Sequence, residues 1–114
     1  MNQDTIVALA TGGTGALSVI RISGPKARAI TQAHVRKDLG SIASHTVHFG
    51  LFKSENQVPI DEVLLVYFAH GKSFTGEETI EIHCHGSSYI QQTIIQSLVA
   101  EGARLANPGE FTQR

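Results

Sequence analysis

The sequence holds a single cysteine, Cys84, among its 114 residues. An internal disulfide is therefore impossible, and a small secreted fold stapled by disulfides is excluded. Charge of one sign is also missing. Nine basic residues stand against ten acidic ones, for a formal net charge of -1. Without a basic excess, this domain by itself does not grip phosphate backbones by counterion release. No apolar run approaches the length of a membrane span, about 20 residues. The opening stretch MNQDTIVALATGG has an acid where a signal peptide has basic residues, and its apolar run is short. A cytoplasmic protein with no membrane contact is expected. Internal repeats and low-complexity segments are absent, and so is a P-loop pattern.

What is present fits one folded domain over residues 1–114, with 41% apolar and 17% charged residues. A chain of this size buries roughly two-thirds of its unfolded surface. Short β-branched runs predict strands at Asp4–Thr11, Ala16–Ser23, Ser44–Phe52, Pro59–His70 and Glu77–His85. In the fourth, Val63 to Phe68 is apolar on both faces, which predicts a central strand. Helical spacing of Ala27, Ile30 and Ala33 predicts a helix from about Pro25 to Val35, with Pro25 as its first residue. SSYIQQTIIQSLVAEG is the clearest helix. Ser88 and Gln91 suit a capping box, Gly102 a C-terminal cap, and Tyr89, Ile90, Ile94, Ile95, Leu98 and Val99 a buried stripe. ARLANPGEF predicts a last short strand and then a turn. The order β-β-α-β-β-β-α-β indicates an α+β domain with a mostly antiparallel sheet and two helices packed on it. The ending EFTQR supplies no closing element, which suggests a piece of something longer.

His83-Cys84-His85 looks like a metal or nucleophile site. Strand alternation argues otherwise for the thiol: Cys84 shares a face with Ile80 and Ile82, where a free cysteine packs as a small core residue. His83 and His85 share the opposite face with Glu81, but a zinc site needs three or four ligands, so a metal-dependent enzyme ranks low. The glycine-rich loop TGGTGA leads into a strand rather than a helix, and reads first as a tight β-β connection. Two charges, Arg21 and Glu81, fall inside strands, where an unpaired buried charge is costly. Either they face solvent or pair together, or they line a pocket. In a pocket, the carboxylate suits an amidine-like N–H and NH2 edge such as that of a pterin, and the arginine suits an oxygen or carboxylate of the same ligand.

The stretches DTIVALAT, GALSVIRISG, SFTGEETIEIHCHG and RLANPGEFTQR together resemble the N-terminal domain of the tRNA uridine-modifying GTPases known as MnmE or TrmE. The resemblance spans nearly the whole chain. It implies a fold similar to the tetrahydrofolate-binding domain of the glycine-cleavage T protein. It implies binding of a tetrahydrofolate derivative, the 5-formyl or methylene form, and homodimerisation. The family's folate contacts map onto Arg21 and Glu81; a further lysine lies beyond EFTQR. Full-length members add a helical domain and a GTPase domain using GTP, Mg2+ and K+. They act on the wobble uridine of tRNA with an MnmG-type FAD protein. The P-loop, the helical domain and the C-terminal cysteine motif are absent from this stretch, so it is expected neither to hydrolyse GTP nor to modify tRNA alone. A purely structural dimerisation module, with the exposed faces of the first two strands as interface, is the alternative. The family's first loop reads TPPGxGA, whereas this chain has Gly12 and Gly13 in place of the prolines. If that loop packs on the ligand or the dimer, its order and affinity are weakened.

Overall fold

The computed structural model describes residues 4–10, 16–71 and 77–113. Its elements are β1 (Ile6–Leu9), β2 (Leu17–Ser23), α1 (Ala27–Gln32), a 3-10 turn (Leu39–Ser41), β3 (Thr46–Lys53), β4 (Pro59–Phe68), β5 (Thr79–His85), α2 (Ser88–Ala100), β6 (Arg104–Leu105) and α3 (Glu110–Gln113). The strands form one sheet in the order β3-β4-β5-β2-β1-β6. Every pairing is antiparallel except that of β1 with β6. The expected α+β class and mostly antiparallel sheet are therefore present, with a short third helix beyond the two expected.

Period-two alternation gives the sheet two unlike faces. Ile20, Ile22, Leu65, Ile80, Ile82 and Cys84 are buried on one face, in a core that also holds Ala27 and Ile30 of α1 and Ile94 and Leu98 of α2. The other face carries Arg21, Glu81 and His83, and its outer strands expose Val47, Phe49, Leu51 and Leu64. β4 is thus an interior strand, but it lies second from the edge and its second face is only partly covered. Its apolar run reflects that half-open face, not a central position.

Several local boundaries differ from the sequence expectation. Helix α1 begins at Ala27 and ends at Gln32. Pro25 sits in the turn before it, where Gly24 has φ +139 and a Cβ would lie 2.6 Å from the Thr5 Cα. That close approach requires glycine and fixes the helix start downstream. Beyond Gln32, Ala33, His34 and Val35 bond three residues back, so the helix tightens into 3-10 geometry and stops. Ala33 is exposed and Thr31 is buried instead.

In α2 the cap is Ser87, whose hydroxyl accepts from the Ile90 N–H at 3.3 Å. No Ser88–Gln91 capping box forms, because Gln91 turns inward and donates to the Ser18 hydroxyl at 2.6 Å. That inward turn also reshapes the stripe. Gln91 and Ser97 are buried with Ile94, Ile95 and Leu98, while Tyr89 is 72% exposed and Val99 also faces outward. The C-terminal cap is as expected: Gly102 N–H bonds Val99 and Ala103 N–H bonds Leu98, a Schellman pattern with Gly102 at positive φ.

Candidate ligand-binding site

Strands β2 and β5 are neighbours, and their register places Arg21 directly opposite Glu81. Both point to the open face because their neighbours Ile20, Ile22, Ile80 and Ile82 claim the core face. Arg21 donates to Glu81 Oε2 through Nε at 3.1 Å and Nη2 at 2.8 Å. The other carboxylate oxygen, Oε1, accepts from His83 Nε2 at 3.2 Å. Of the sequence alternatives, the pairing is present, and of the two residues Arg21 also borders a pocket. Burial alone would raise the Glu81 carboxyl; hydrogen bonds from Arg21 and His83, with their charges, outweigh it and hold the group below its ordinary value.

Arg21 lines a cavity of about 370 Å³ whose walls include Ala8, Asn107, Pro108, Phe111 and Thr112. Glu81 is not a lining residue; it stands behind Arg21. The Phe111 ring centroid lies 5.9 Å from the Arg21 guanidinium carbon, at the outer limit of a cation–π contact. Phe111 is held there by charge. Arg104 grips Glu110 with both ends of its fork and reaches Asp4 through Nε. Glu110 also accepts the Asn107 N–H at 2.9 Å, which ties down the turn that carries Phe111. Sequence reasoning did not single out Arg104, Glu110 or Phe111. The signal was available in Asn107-Pro108-Gly109, a turn signature followed at once by a carboxylate and an aromatic ring.

Other candidates are placed elsewhere. Cys84 is buried among the core residues. Burial, and then the Asp61 charge, push its thiol up to about 11, so it lacks the thiolate character of a nucleophile. His85 bonds Asp61, by ring Nδ1 at 2.8 Å and by its own N–H at 2.9 Å. His45 and His48 bond Ser44 and Thr46. Among the described residues no three metal-type ligands converge. Residues 11–15 of the glycine loop and 72–76 of the FTGEE loop lie outside the described residues. Glu78, at the end of the latter, accepts from Tyr67 Oη at 2.8 Å and pairs with Arg28 at 3.4 Å, away from the Arg21 cavity. No helix among the described residues is long and apolar enough to cross a membrane.

The half-open, mostly antiparallel sheet thus carries a paired guanidinium and carboxylate beside a cleft. The family of the chain is shown by comparison. A family profile described as "GTP-binding protein TrmE N-terminus" matches residues 5–114. The tRNA modification GTPase MnmE of Flavobacterium johnsoniae is 51% identical over 119 residues, covering 100% of this chain and 25% of the relative. Those of Bacteroides thetaiotaomicron and Nitratiruptor sp. are 48% and 43% identical, covering 100% and 99% of this chain and 25% of each relative. The chain belongs to the TrmE N-terminal family. It spans about a quarter of the length of the curated relatives it matches.

Proposed function

We propose that this chain is a tetrahydrofolate-binding and dimerising module of a tRNA modification GTPase. The observation that carries the reading is the in-register Arg21–Glu81 pair beside a cavity walled by Phe111. The donor set suits a reduced folate. A carboxylate matches the pterin's amidine edge, a guanidinium matches an oxygen or carboxylate, and an aromatic wall matches a flat ring. A cavity of about 370 Å³ falls at the small end of ligand sites, sized for part of a folate rather than all of it. The bound folate supplies a one-carbon unit; Glu81 and Arg21 would orient it, and Phe111 would cover one side. The fold would then be that of the tetrahydrofolate-binding domain of the glycine-cleavage T protein.

In the whole protein, GTP with Mg2+ and K+, an MnmG-type FAD partner and tRNA would act through parts outside this chain, in the cytoplasm. Calorimetry with 5-formyltetrahydrofolate on the native chain, Arg21→Ala and Glu81→Ala tests the site. Loss of affinity in both variants is expected. Equal affinity in all three overturns the site, and no binding to the native chain overturns the folate reading.

A second reading, a structural dimerisation module without ligand, draws on Val47, Phe49, Leu51 and Leu64. These apolar side chains stand exposed on β3 and β4, with Phe49 64% exposed. They favour β3 and β4 as interface over the first two strands. Sedimentation equilibrium of Phe49→Glu beside the native chain checks this. A native monomer at tens of micromolar refutes dimerisation.

A further inference from the structure

The nine basic residues of this chain are spread unevenly. Arg21, Arg28 and Arg104 are each paired with a carboxylate. Arg36, Lys37 and Lys53 form no ion pair among the described residues, and they stand together. With Phe49, Gly50 and Leu51 they line a cavity of about 500 Å³, within the size range of ligand sites. Asp38, Glu55 and Glu62 lie close in sequence or register, but none is in its wall. Asp38 is spent on its own turn, accepting from the Gly40 N–H at 2.9 Å and the Ser41 hydroxyl at 3.3 Å. The cleft lies at the β3 edge of the sheet, three strands from Arg21 on β2.

Two polar side chains brace this cleft from behind. Gln32 donates to the carbonyls of Val35 at 3.0 Å and Lys37 at 2.8 Å, and its Oε1 accepts from the Leu39 N–H at 2.7 Å. It thus fixes the backbone that carries Arg36 and Lys37. The buried His34 ring donates through Nδ1 to the Lys53 carbonyl at 2.7 Å, and the His34 carbonyl accepts the Lys53 N–H at 2.9 Å. These bonds fasten the loop to the end of β3. Cations rooted on a braced backbone lose less freedom when they meet an anion. Beside them the Phe49 ring is exposed on the open face. Phosphate suits the cations and a nucleobase suits the ring, whereas an acidic peptide leaves the ring idle. We propose that the cleft at the β3 edge binds an unpaired stretch of RNA, with Arg36, Lys37 and Lys53 on its phosphates and a base stacked on Phe49. The net charge of -1 does not oppose this, since a phosphate meets the local cluster and more distant charges are screened. The proposal does not rest on the folate reading. A base stacked on Phe49 would exclude dimerisation through that ring.

Fluorescence anisotropy of a labelled oligouridylate of about eight nucleotides tests the cleft. The native chain should bind, and three phosphate contacts should weaken that binding by about twentyfold between about 50 and 200 mM salt. Arg36→Gln and Lys37→Gln should each bind more weakly and flatten the slope of log affinity against log salt by about 0.7. Phe49→Leu should cost at least about fivefold with the salt slope unchanged. Lys26→Gln, which removes an exposed cation outside the cleft, should bind as the native chain does. No binding by the native chain at the low-salt end overturns the proposal, and so does an equal loss in Lys26→Gln and the cleft variants. An unchanged affinity in Phe49→Leu overturns the stacked base. Two competitors check the ligand class: oligoglutamate of equal charge, and uridine monophosphate at equal nucleotide concentration. Neither should displace the strand. Displacement by oligoglutamate overturns RNA in favour of an acidic peptide, and displacement by the monophosphate overturns it in favour of a free nucleotide.

Discussion

Glu81→Ala should separate stability from recognition. The substitution removes one partner of a cross-strand ion pair whose side chains are 27% and 18% exposed. Opposite-charge pairs in this position contribute roughly 0.2–1 kcal/mol. The Arg21 guanidinium left behind keeps access to water and to the Phe111 ring. The loss of unfolding free energy should therefore stay below about 1 kcal/mol. For a domain of this size that is a drop of about 4–8 °C in Tm at most. The effect on ligand is larger. A carboxylate accepting from a neutral edge makes hydrogen bonds worth about 1.5–3 kcal/mol each, so losing one costs roughly ten- to a hundredfold in affinity. Chemical denaturation and calorimetry on the same sample measure both quantities. A stability loss above about 3 kcal/mol would mark Glu81 as a structural keystone of the kind that breaks when a buried pair is cut. That result, or an unchanged affinity, refutes the assignment of this carboxylate to a ligand.

The Glu81 carboxyl also makes stability depend on pH. Its folded value lies below the ordinary one, so its contribution is present above the unfolded value, near 4.5, and is lost as pH falls through the folded value. Urea titrations at pH 7, 4 and 3 should show a steeper acid loss in the native chain than in Arg21→Ala, and equal slopes refute this. Cys84, with its thiol pushed up to about 11, holds about one thiolate in a thousand at pH 8, so the native chain should resist a disulfide reagent that labels the unfolded chain at once. Labelling of the folded chain within minutes refutes its burial. Ser87→Ala should cost about 1 kcal/mol by removing the α2 cap, and Ser88→Ala clearly less. Equal costs would restore the capping box in place of the Ser87 cap.

The periodic parts of this sequence were the legible ones. Alternation in TIEIHCH assigned Cys84 to the core and Glu81 to the open face, and the structure agrees for both, although Thr79, at the start of the strand, is buried out of pattern. Boundaries set by tertiary contact were not legible. The start of α1 depends on how closely Gly24 approaches Thr5, and the orientation of Gln91 depends on Ser18, 73 residues away in sequence. The same holds for the site. Two in-strand charges drew notice because they broke the apolar pattern. Their facing register is set by the pairing of β2 with β5, which no local pattern encodes. Phe111 became visible only once Arg104 and Glu110 folded the tail back over β2.

The clasp of Arg104 with Asp4 joins residues 100 apart in sequence. Beside it, β6 pairs in parallel with β1, so the outer edge of the first strand is covered by a strand from the far end of the chain. Contacts of such high sequence separation form slowly, because the loop must close before the contact rewards it. The central strands and α2 can assemble while the cavity still lacks its Phe111 wall. During synthesis, then, the cleft is among the last features to mature. A ligand captured there would bind only chains that have completed the clasp, and would bias folding toward that completed form by mass action.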